Sequence, residues 1–342
     1  EIHERLVGSE MCIRDRYTYI ITHFFDFSRY IIDFFVSLSY PHILEDKELS
    51  KRRTIGTING VIAAASYGTN PLFALPLYSR GMAVNSVLFF RYSIAVILYG
   101  IWLVCFKKIS LKLSRNEIIP VFLLALMFSL SSLTLFEAFN YIEAGIACTI
   151  LFIYPVLVAV MMSIFYKEKL TGVIAAAIGL TSCGILLLYN GKPGTSLNLH
   201  GIALVIASAF LYAFYIICVK KNKVIKSIHA PKLSFYVMFF GLIVYIYNLN
   251  FCTQLQIPQS PFMWLCVICL SIFPTIISLE TITIAIKLIG STTTAILGAL
   301  EPLTAIFFGI LFFDEHLTLR ITLGIILILS GVLLIITKNK QS

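Results

Sequence analysis

Ten long apolar stretches follow one another along this chain, and they limit its fold more than any other feature. A helix needs about 20 mostly apolar residues to cross the hydrocarbon core, and its backbone groups must be satisfied inside the segment. In chain order, spans 1 to 10 are 56–78, 84–106, 117–139, 145–166, 171–189, 199–219, 233–251, 262–287, 291–313 and 318–337. We therefore predict an all-α polytopic membrane protein with about ten transmembrane helices.

Composition agrees with a chain that places much of its surface against lipid. Hydrophobic residues make up 59% of the 342 residues and charged residues only 13%, whereas about a quarter of a soluble domain is charged. We attribute the net charge of +9 to loop lysines that face an anionic leaflet, so nucleic acid is not a predicted partner. The one CxxC, Cys266 and Cys269, lies inside an apolar stretch, and we predict no metal and no cofactor.

The distribution of basic residues predicts the orientation of the chain. From residue 47 onward, the side that holds both tails contains 18 Lys and Arg residues, and the opposite side contains three. Loops rich in Lys and Arg stay in the cytoplasm, and an even number of spans also places both tails on one side. We expect an integral protein of the bacterial inner (cytoplasmic) membrane with both termini in the cytoplasm.

The segment 1–50 lies outside the ten-span core. Residues 1–16 resemble a translated library adapter, and we interpret them as artefactual. Residues 17–40 are aromatic and apolar but contain two Asp and one Arg, each of which costs roughly 2.5–3.5 kcal/mol at the centre of a membrane helix. An eleventh span is therefore not predicted, and an interfacial helix or an out-of-frame translation remains open for this stretch.

The core consists of two similar halves, 56–189 and 199–337, related by a constant offset of 147 residues. Equivalent pairs include Pro155 and Pro302, Glu168 and Glu315, Thr171 and Thr318, and Gly184 and Gly331. Five spans per half is an odd number, so the second half enters the membrane with the opposite orientation. Inverted-topology repeats are typical of secondary transporters.

These motifs resemble the EamA-like family of the drug/metabolite transporter superfamily. The second half carries Glu301-Pro302, the run Asp314-Glu315-His316-Leu317-Thr318 and Gly331, and the first half carries Tyr154-Pro155 and Lys167-Glu168-Lys169-Leu170-Thr171. The resemblance extends over roughly 56–337 and implies two five-helix repeats that transport a small metabolite, in the direction of export. It does not imply a substrate, because the family exports many unrelated metabolites. Tyr154 stands where the second half has Glu301, so the two half-sites are chemically unequal.

Ionisable residues within the spans are candidates for transport because they are costly in lipid. The candidates are Arg91, Glu137, Glu280 and Glu301. Glu301 lies about ten residues into span 9, which places it about 15 Å deep at 1.5 Å per residue, near the midplane. Arg91 has two open roles, as a ligand for a substrate carboxylate or as a partner of Glu137.

Prolines in three spans predict bends at mid-depth. Pro302 and Pro155 lack the N–H that would bond the carbonyl four residues earlier, and Pro71 occupies a comparable position in span 1. Tyr154 lies beside Pro155, and Tyr67 and Asn70 lie beside Pro71. Since transporters place their sites at such midplane interruptions, we predict that Glu301, Tyr154, Tyr67 and Asn70 face a cavity.

The sequence predicts a secondary transporter rather than an enzyme. No catalytic motif and no ATP-binding P-loop is present, so the chain would move a small molecule by alternating access, with Glu301 as a candidate carrier of coupled protons. With three acids and one Arg inside the spans, an amino acid or amine is favoured. A membrane subunit of a larger transport complex, a scaffold or a receptor remains the alternative, and a homodimer is also open.

Overall fold

The computed structural model describes residues 47–142, 144–168, 171–188, 198–304, 307 and 319–341, and all regular secondary structure within them is helical. The segments 1–16 and 17–40 and the run Asp314–Thr318 lie outside the described residues. We number the helices of the first half α1 (Lys47–Tyr67), α2 (Asn70–Tyr78), α3 (Val84–Ile101), α4 (Arg115–Ala138), α5 (Ala144–Leu151), α6 (Tyr154–Tyr166) and α7 (Gly172–Leu188). The second half contains α8 (Leu199–Lys221), α9 (Lys223–Ser227), α10 (Ala230–Asn248), α11 (Pro261–Ser271), α12 (Ser278–Ile289), α13 (Ser291–Leu297) and α14 (Leu319–Gln341).

These helices form the predicted spans. Five helical stretches are each long and apolar enough to cross a membrane, by length and composition: Val84–Phe106, Arg115–Ala138, Leu199–Lys221, Ala230–Asn248 and Pro261–Ile289. Spans 1, 4 and 9 are divided into shorter helices, and spans 5 and 10 have shorter apolar cores. Span 1 begins at Lys47, nine residues earlier than predicted, because its helix continues through the basic residues that precede the apolar stretch.

The two halves pack as a pseudo-symmetric pair. Span 3 of each half lies against span 1 of the other half: α12 packs on α1, and α4 packs on α8. The two copies of span 2, α3 and α10, pack on each other, and so do the two copies of span 5, α7 and α14. Since equivalent helices make equivalent contacts, one approximate two-fold axis relates the halves.

The contact between α7 and α14 shows that the two halves are inverted. A Cβ built on Gly184 would lie 2.7 Å from the carbonyl oxygen of Gly324, and one on Gly331 would lie 2.9 Å from that of Ala177. At the offset of 147, Gly331 is equivalent to Gly184, and Gly324 to Ala177. The end of each helix therefore meets the early part of the other. Two equivalent helices that run antiparallel belong to halves of opposite orientation, as the sequence predicted.

Three spans are interrupted near mid-depth. The regular helix stops for two residues in spans 1, 4 and 9, at Gly68–Thr69, Phe152–Ile153 and Gly298–Ala299 respectively. A proline follows each interruption, Pro71, Pro155 and Pro302, at the positions where bends were predicted. Because proline cannot donate to the carbonyl four residues back, the preceding turn loses a bond that holds it helical.

Span 6 differs from its symmetry mate, span 1. The helix α8 is continuous from Leu199 to Lys221, although it occupies the position of the broken span 1. At the offset of 147, Cys218 stands in place of Pro71, and Tyr215 stands in place of Gly68. Without a proline the α8 backbone keeps its hydrogen bonds, so the interruption of span 1 has no counterpart in the second half.

A π-helical turn at Ile272–Ile277 joins the two helices of span 8. Pro274 has no N–H for the carbonyl of Leu270, and Thr275 Oγ1 donates to that oxygen at 2.7 Å instead. Arg91 of span 2 then braces the turn: Nη2 donates to the Pro274 carbonyl at 3.0 Å, and Nε donates to Thr275 Oγ1 at 2.5 Å. The buried guanidinium thus connects span 2 of one half to span 3 of the other.

The close contact of α7 and α14 predicts an unequal response to alanine. In Gly184→Ala the new methyl group meets backbone atoms of α14, which cannot rotate away, so we expect a loss of about 1–3 kcal/mol in stability. A methyl group added at Gly179, in the same helix, would have nothing within 4 Å. Thermal unfolding of the purified protein should show a lower Tm for Gly184→Ala and no loss for Gly179→Ala. An equal change in Tm for both variants would refute the close contact between α7 and α14.

The bracing of span 8 predicts a specific effect of Thr275→Val. This change leaves the Leu270 carbonyl and one Arg91 donor unpartnered in the core, which costs about 1–3 kcal/mol. Thr281→Val is the matched control, because Thr281 Oγ1 bonds only within its own helix, to Ile277 O at 2.6 Å and Ser278 O at 3.2 Å. Thermal unfolding measures both variants, and a Tm loss for Thr281→Val as large as that for Thr275→Val contradicts the role of Arg91.

Candidate functional site

A cavity of about 30 Å³ lies where the three interrupted spans meet. Its lining comes from spans 1, 3, 4 and 9: Tyr67, Gly68, Asn70, Pro71, Leu135, Phe139, Cys148, Leu151, Phe152, Tyr154, Glu301 and Pro302. This space holds about two water molecules, so a metabolite can enter only after the walls separate. The structure therefore brings together Glu301, Tyr154, Tyr67 and Asn70, together with the prolines Pro71 and Pro302, in one wall as the sequence predicted.

The position of Glu301 depends on a close approach between spans 1 and 9. Gly68 lies against the carbonyl of Glu301, and a Cβ at Gly68 would be 2.4 Å from that oxygen. Within span 9, the Glu301 N–H donates to the Gly298 carbonyl at 2.9 Å, the group that Pro302 leaves without its helical donor. A glycine on one helix and a tightened turn on the other thus fix the carboxylate at the cavity.

Tyr154 joins span 4 to span 9 beside this carboxylate. Its hydroxyl lies directly over Gly298, where a Cβ would be only 1.6 Å away, and the Glu301 carboxylate lies beside it. Tyr154 and Glu301 are equivalent at the offset of 147, so the two unequal half-sites meet at the pseudo-two-fold axis. Any side chain at position 298 would separate them.

Asn70 is a polar side chain of the cavity wall that has no hydrogen-bond partner among the described residues. It is 3% exposed and lines the cavity, yet neither Nδ2 nor Oδ1 has a hydrogen-bond partner among the residues that the structure describes. A buried amide costs free energy when both its donor and its acceptor stay unpaired. Its place in the cavity wall leaves it available to a ligand.

Two residues of the site were not foreseen from the sequence. Tyr212 of α8 lies behind the cavity wall, with its ring centroid 4.9 Å from that of Tyr154 and 6.3 Å from that of Tyr67. Cys148 lines the cavity from α5. Tyr212 looks like an ordinary residue of an apolar helix, and only the pairing of spans between halves places it beside the two other tyrosines.

The remaining candidates lie away from the cavity lining. Arg91 forms no ion pair with Glu137 among the described residues: its Nε and Nη2 are directed at span 8, and its Nη1 has no hydrogen-bond partner there. Glu137 lies in the neighbourhood of Tyr78, and Glu280 lies beside Tyr99. Transport roles for these three charged residues stay predictions.

Two polar contacts join the ends of helices near the lysine-rich loops. Lys287 Nζ donates to the carbonyls of Ile225 and Ile228 and so caps the short helix α9. Glu168 forms an ion pair with Lys221 at 3.3 Å. The sequence does not place these helix ends side by side.

Comparisons with known proteins agree with this architecture. A crystal structure of another protein superposes with a TM-score of 0.69 at 15% identity, and the match covers 84% of this chain and 98% of the other. That likeness concerns the fold alone. An uncharacterized transporter of Bacillus subtilis (strain 168), YxxF, is 24% identical over 295 residues, which are 85% of this chain and 92% of the relative.

A family model matches the chain twice, over residues 54–190 and 199–337. The two matches coincide with the two inverted halves, and together they cover most of the ordered bundle. Each contains one member of the Tyr154 and Glu301 pair at the cavity. The chain thus belongs to the EamA-like transporter family.

Proposed function

We propose that this membrane transporter exports a small, amine-bearing metabolite across a bacterial cytoplasmic membrane, with both tails in the cytoplasm. The observation that supports this most is the cavity at three interrupted helices with the Glu301 carboxylate in its wall. Transport sites are expected at such interruptions between inverted repeats. A scaffold or a receptor has no need of a buried carboxylate in a cavity at the pseudo-two-fold axis.

The cavity extends to one side of the bundle only. Leu135, Phe139 and Cys148 line it on the side away from the lysine-rich loops. Phe139 and Cys148 are partly exposed, whereas their equivalents at the offset of 147, Ile286 and Ala295, are 0% and 1% exposed. In the proposed orientation, this arrangement corresponds to an outward-facing state. The inward-facing state forms when the first-half residues become buried and their second-half equivalents become exposed.

Glu301 supplies the proposed coupling between substrate and protons. A carboxylate near the midplane is costly when it has no counter-charge, and no Lys, Arg or His is among the described residues that line the cavity. Either a bound ammonium group or a bound proton neutralises the Glu301 carboxylate, and only one of them can bind at a time. Export of the amine would then accompany uptake of a proton, because an empty, ionised site is costly to carry across.

Alternating access predicts a reciprocal labelling pattern. In a variant whose only cysteine is Cys148, a membrane-impermeant maleimide should label the protein from the outside, because Cys148 lines the open cavity. In the same background with Cys148 replaced and Ala295→Cys introduced, labelling should come only from the cytoplasmic side, and slowly, because Ala295 is buried in this state. Labelling of both cysteines from the same side contradicts the inverted exchange.

Proton coupling predicts a difference between two membrane acids. Full-length protein in proteoliposomes that contain a pH-sensitive dye is exposed to a panel of amines and amino acids, and protein-free vesicles give the background. Active compounds should drive a proton flux that Glu301→Gln lowers at least about tenfold, the effect of one lost charged hydrogen bond. Glu280→Gln, which also removes a membrane acid, should retain the flux. An unchanged flux in Glu301→Gln excludes Glu301 as the proton carrier.

A further inference from the structure

We propose that the cavity selects a compact organic ammonium compound that carries a second, uncharged hydrogen-bonding group, such as an amino alcohol, over a zwitterionic amino acid. This inference rests on the proposed function, since it takes the cavity as the substrate site. It narrows the substrate class by the charges and unpaired groups of the lining.

The charge of the lining disfavours a carboxylate. Glu301 is the one charged residue among the described residues that line the cavity. Arg91 lies outside this lining, is fully buried and directs Nε and Nη2 at Thr275 and Pro274, although its Nη1 has no partner in the described residues. A substrate carboxylate would enter a partly desolvated space beside the Glu301 carboxylate, with no cation in the described lining to pair with it.

The aromatic side chains of the lining favour a positive charge. Tyr67, Phe139, Phe152 and Tyr154 all line the cavity with Glu301, and the rings of Phe152 and Tyr154 meet edge to face, with centroids 5.7 Å apart. An aromatic face attracts an ammonium group, and the attraction is larger where water is excluded. A carboxylate surrounded by aromatic rings therefore recognises a cation with an apolar body.

Asn70 adds the requirement for a second polar group. Both Nδ2 and Oδ1 lack a partner among the described residues, and the side chain is buried in the cavity wall. An ammonium group can donate to Oδ1, but it has no lone pair to accept from Nδ2. A hydroxyl or an amide both donates and accepts, so it satisfies the amide that a simple amine leaves half unpaired.

Four related compounds separate these requirements. Leucinol has the ammonium and the hydroxyl, isoamylamine lacks the hydroxymethyl group, isohexanol lacks the amine, and leucine has a carboxylate in place of the alcohol. Titration calorimetry on the full-length protein in nanodiscs should show leucinol binding about tenfold more tightly than each of the other three, the value of one buried hydrogen bond or charge contact.

Two variants test which residues produce the preference for leucinol. Asn70→Leu should weaken leucinol about tenfold, to the affinity of isoamylamine, and leave isoamylamine unchanged. Asn85→Leu is the matched control, because Asn85 Oδ1 is also buried without a partner in the described residues but lies outside the lining. Glu301→Gln should remove the preference for leucinol over isohexanol. If Asn70→Leu does not fold, Asn70→Ala takes its place.

Three results overturn the inference: leucine binding as tightly as leucinol, no binding by either amine, or an equal loss for all four compounds in Asn70→Leu. Its failure differs from that of the proposed function. If amino acids alone drive the proton flux in proteoliposomes, the chain remains a transporter and the substrate class proposed for the cavity is wrong. If no compound of the panel drives any flux, the proposed function fails first.

Discussion

The interruption of three helices at mid-depth is the feature on which the site depends. Inside a bilayer every backbone N–H and C=O must find a partner in the protein, because lipid supplies none. The breaks in spans 1, 4 and 9 meet this requirement locally: Thr69 Oγ1 donates to the Ser66 carbonyl at 2.7 Å, and the Glu301 N–H takes the Gly298 carbonyl. Irregular backbone is tolerated because the three breaks face one another around a cavity rather than lipid.

The approximate two-fold axis explains why the cavity lies on one side. Two identical halves would give identical spaces on the two faces of the membrane. Here Gly68 in span 1 is replaced by Tyr215 in span 6, and Pro71 is replaced by Cys218, so the second half keeps a continuous helix and fills its space with a ring. Tyr212 stands in the same way where span 1 has Ala65. The sequence difference between the halves therefore favours the open cavity on the side lined by the first half.

Much of this architecture follows from the sequence. Hydropathy defines the ten spans, and the offset of 147 defines the two halves and the equivalence of Tyr154 with Glu301. The three prolines indicate the interruptions, and with them four of the cavity residues. These features are local or periodic, so one chain is enough to show them.

The contacts between halves could not be predicted in the same way. Glu137 was one candidate partner of Arg91 in the sequence, but two of the guanidinium donors instead meet a carbonyl and a threonine hydroxyl that the π-helical turn around Pro274 presents in the core. Such hydrogen-bond partners depend on the local backbone geometry of a segment far away in the sequence. The residue types alone do not indicate them.

The separation of Arg91 from Glu301 has a consequence for transport. Had the guanidinium paired with the carboxylate, the site would be neutral when empty, and the occupant would have no need to bring a charge. Because the backbone and a hydroxyl of span 8 occupy two of the Arg91 donors, the guanidinium does not pair with Glu301 in the described residues, and the Tyr154 hydroxyl lies beside the carboxylate. In the proposed mechanism, the counter-charge of Glu301 then comes from the occupant, either a cation or a proton. In that mechanism, the geometry of the π-helical turn links the binding of the substrate to the movement of protons.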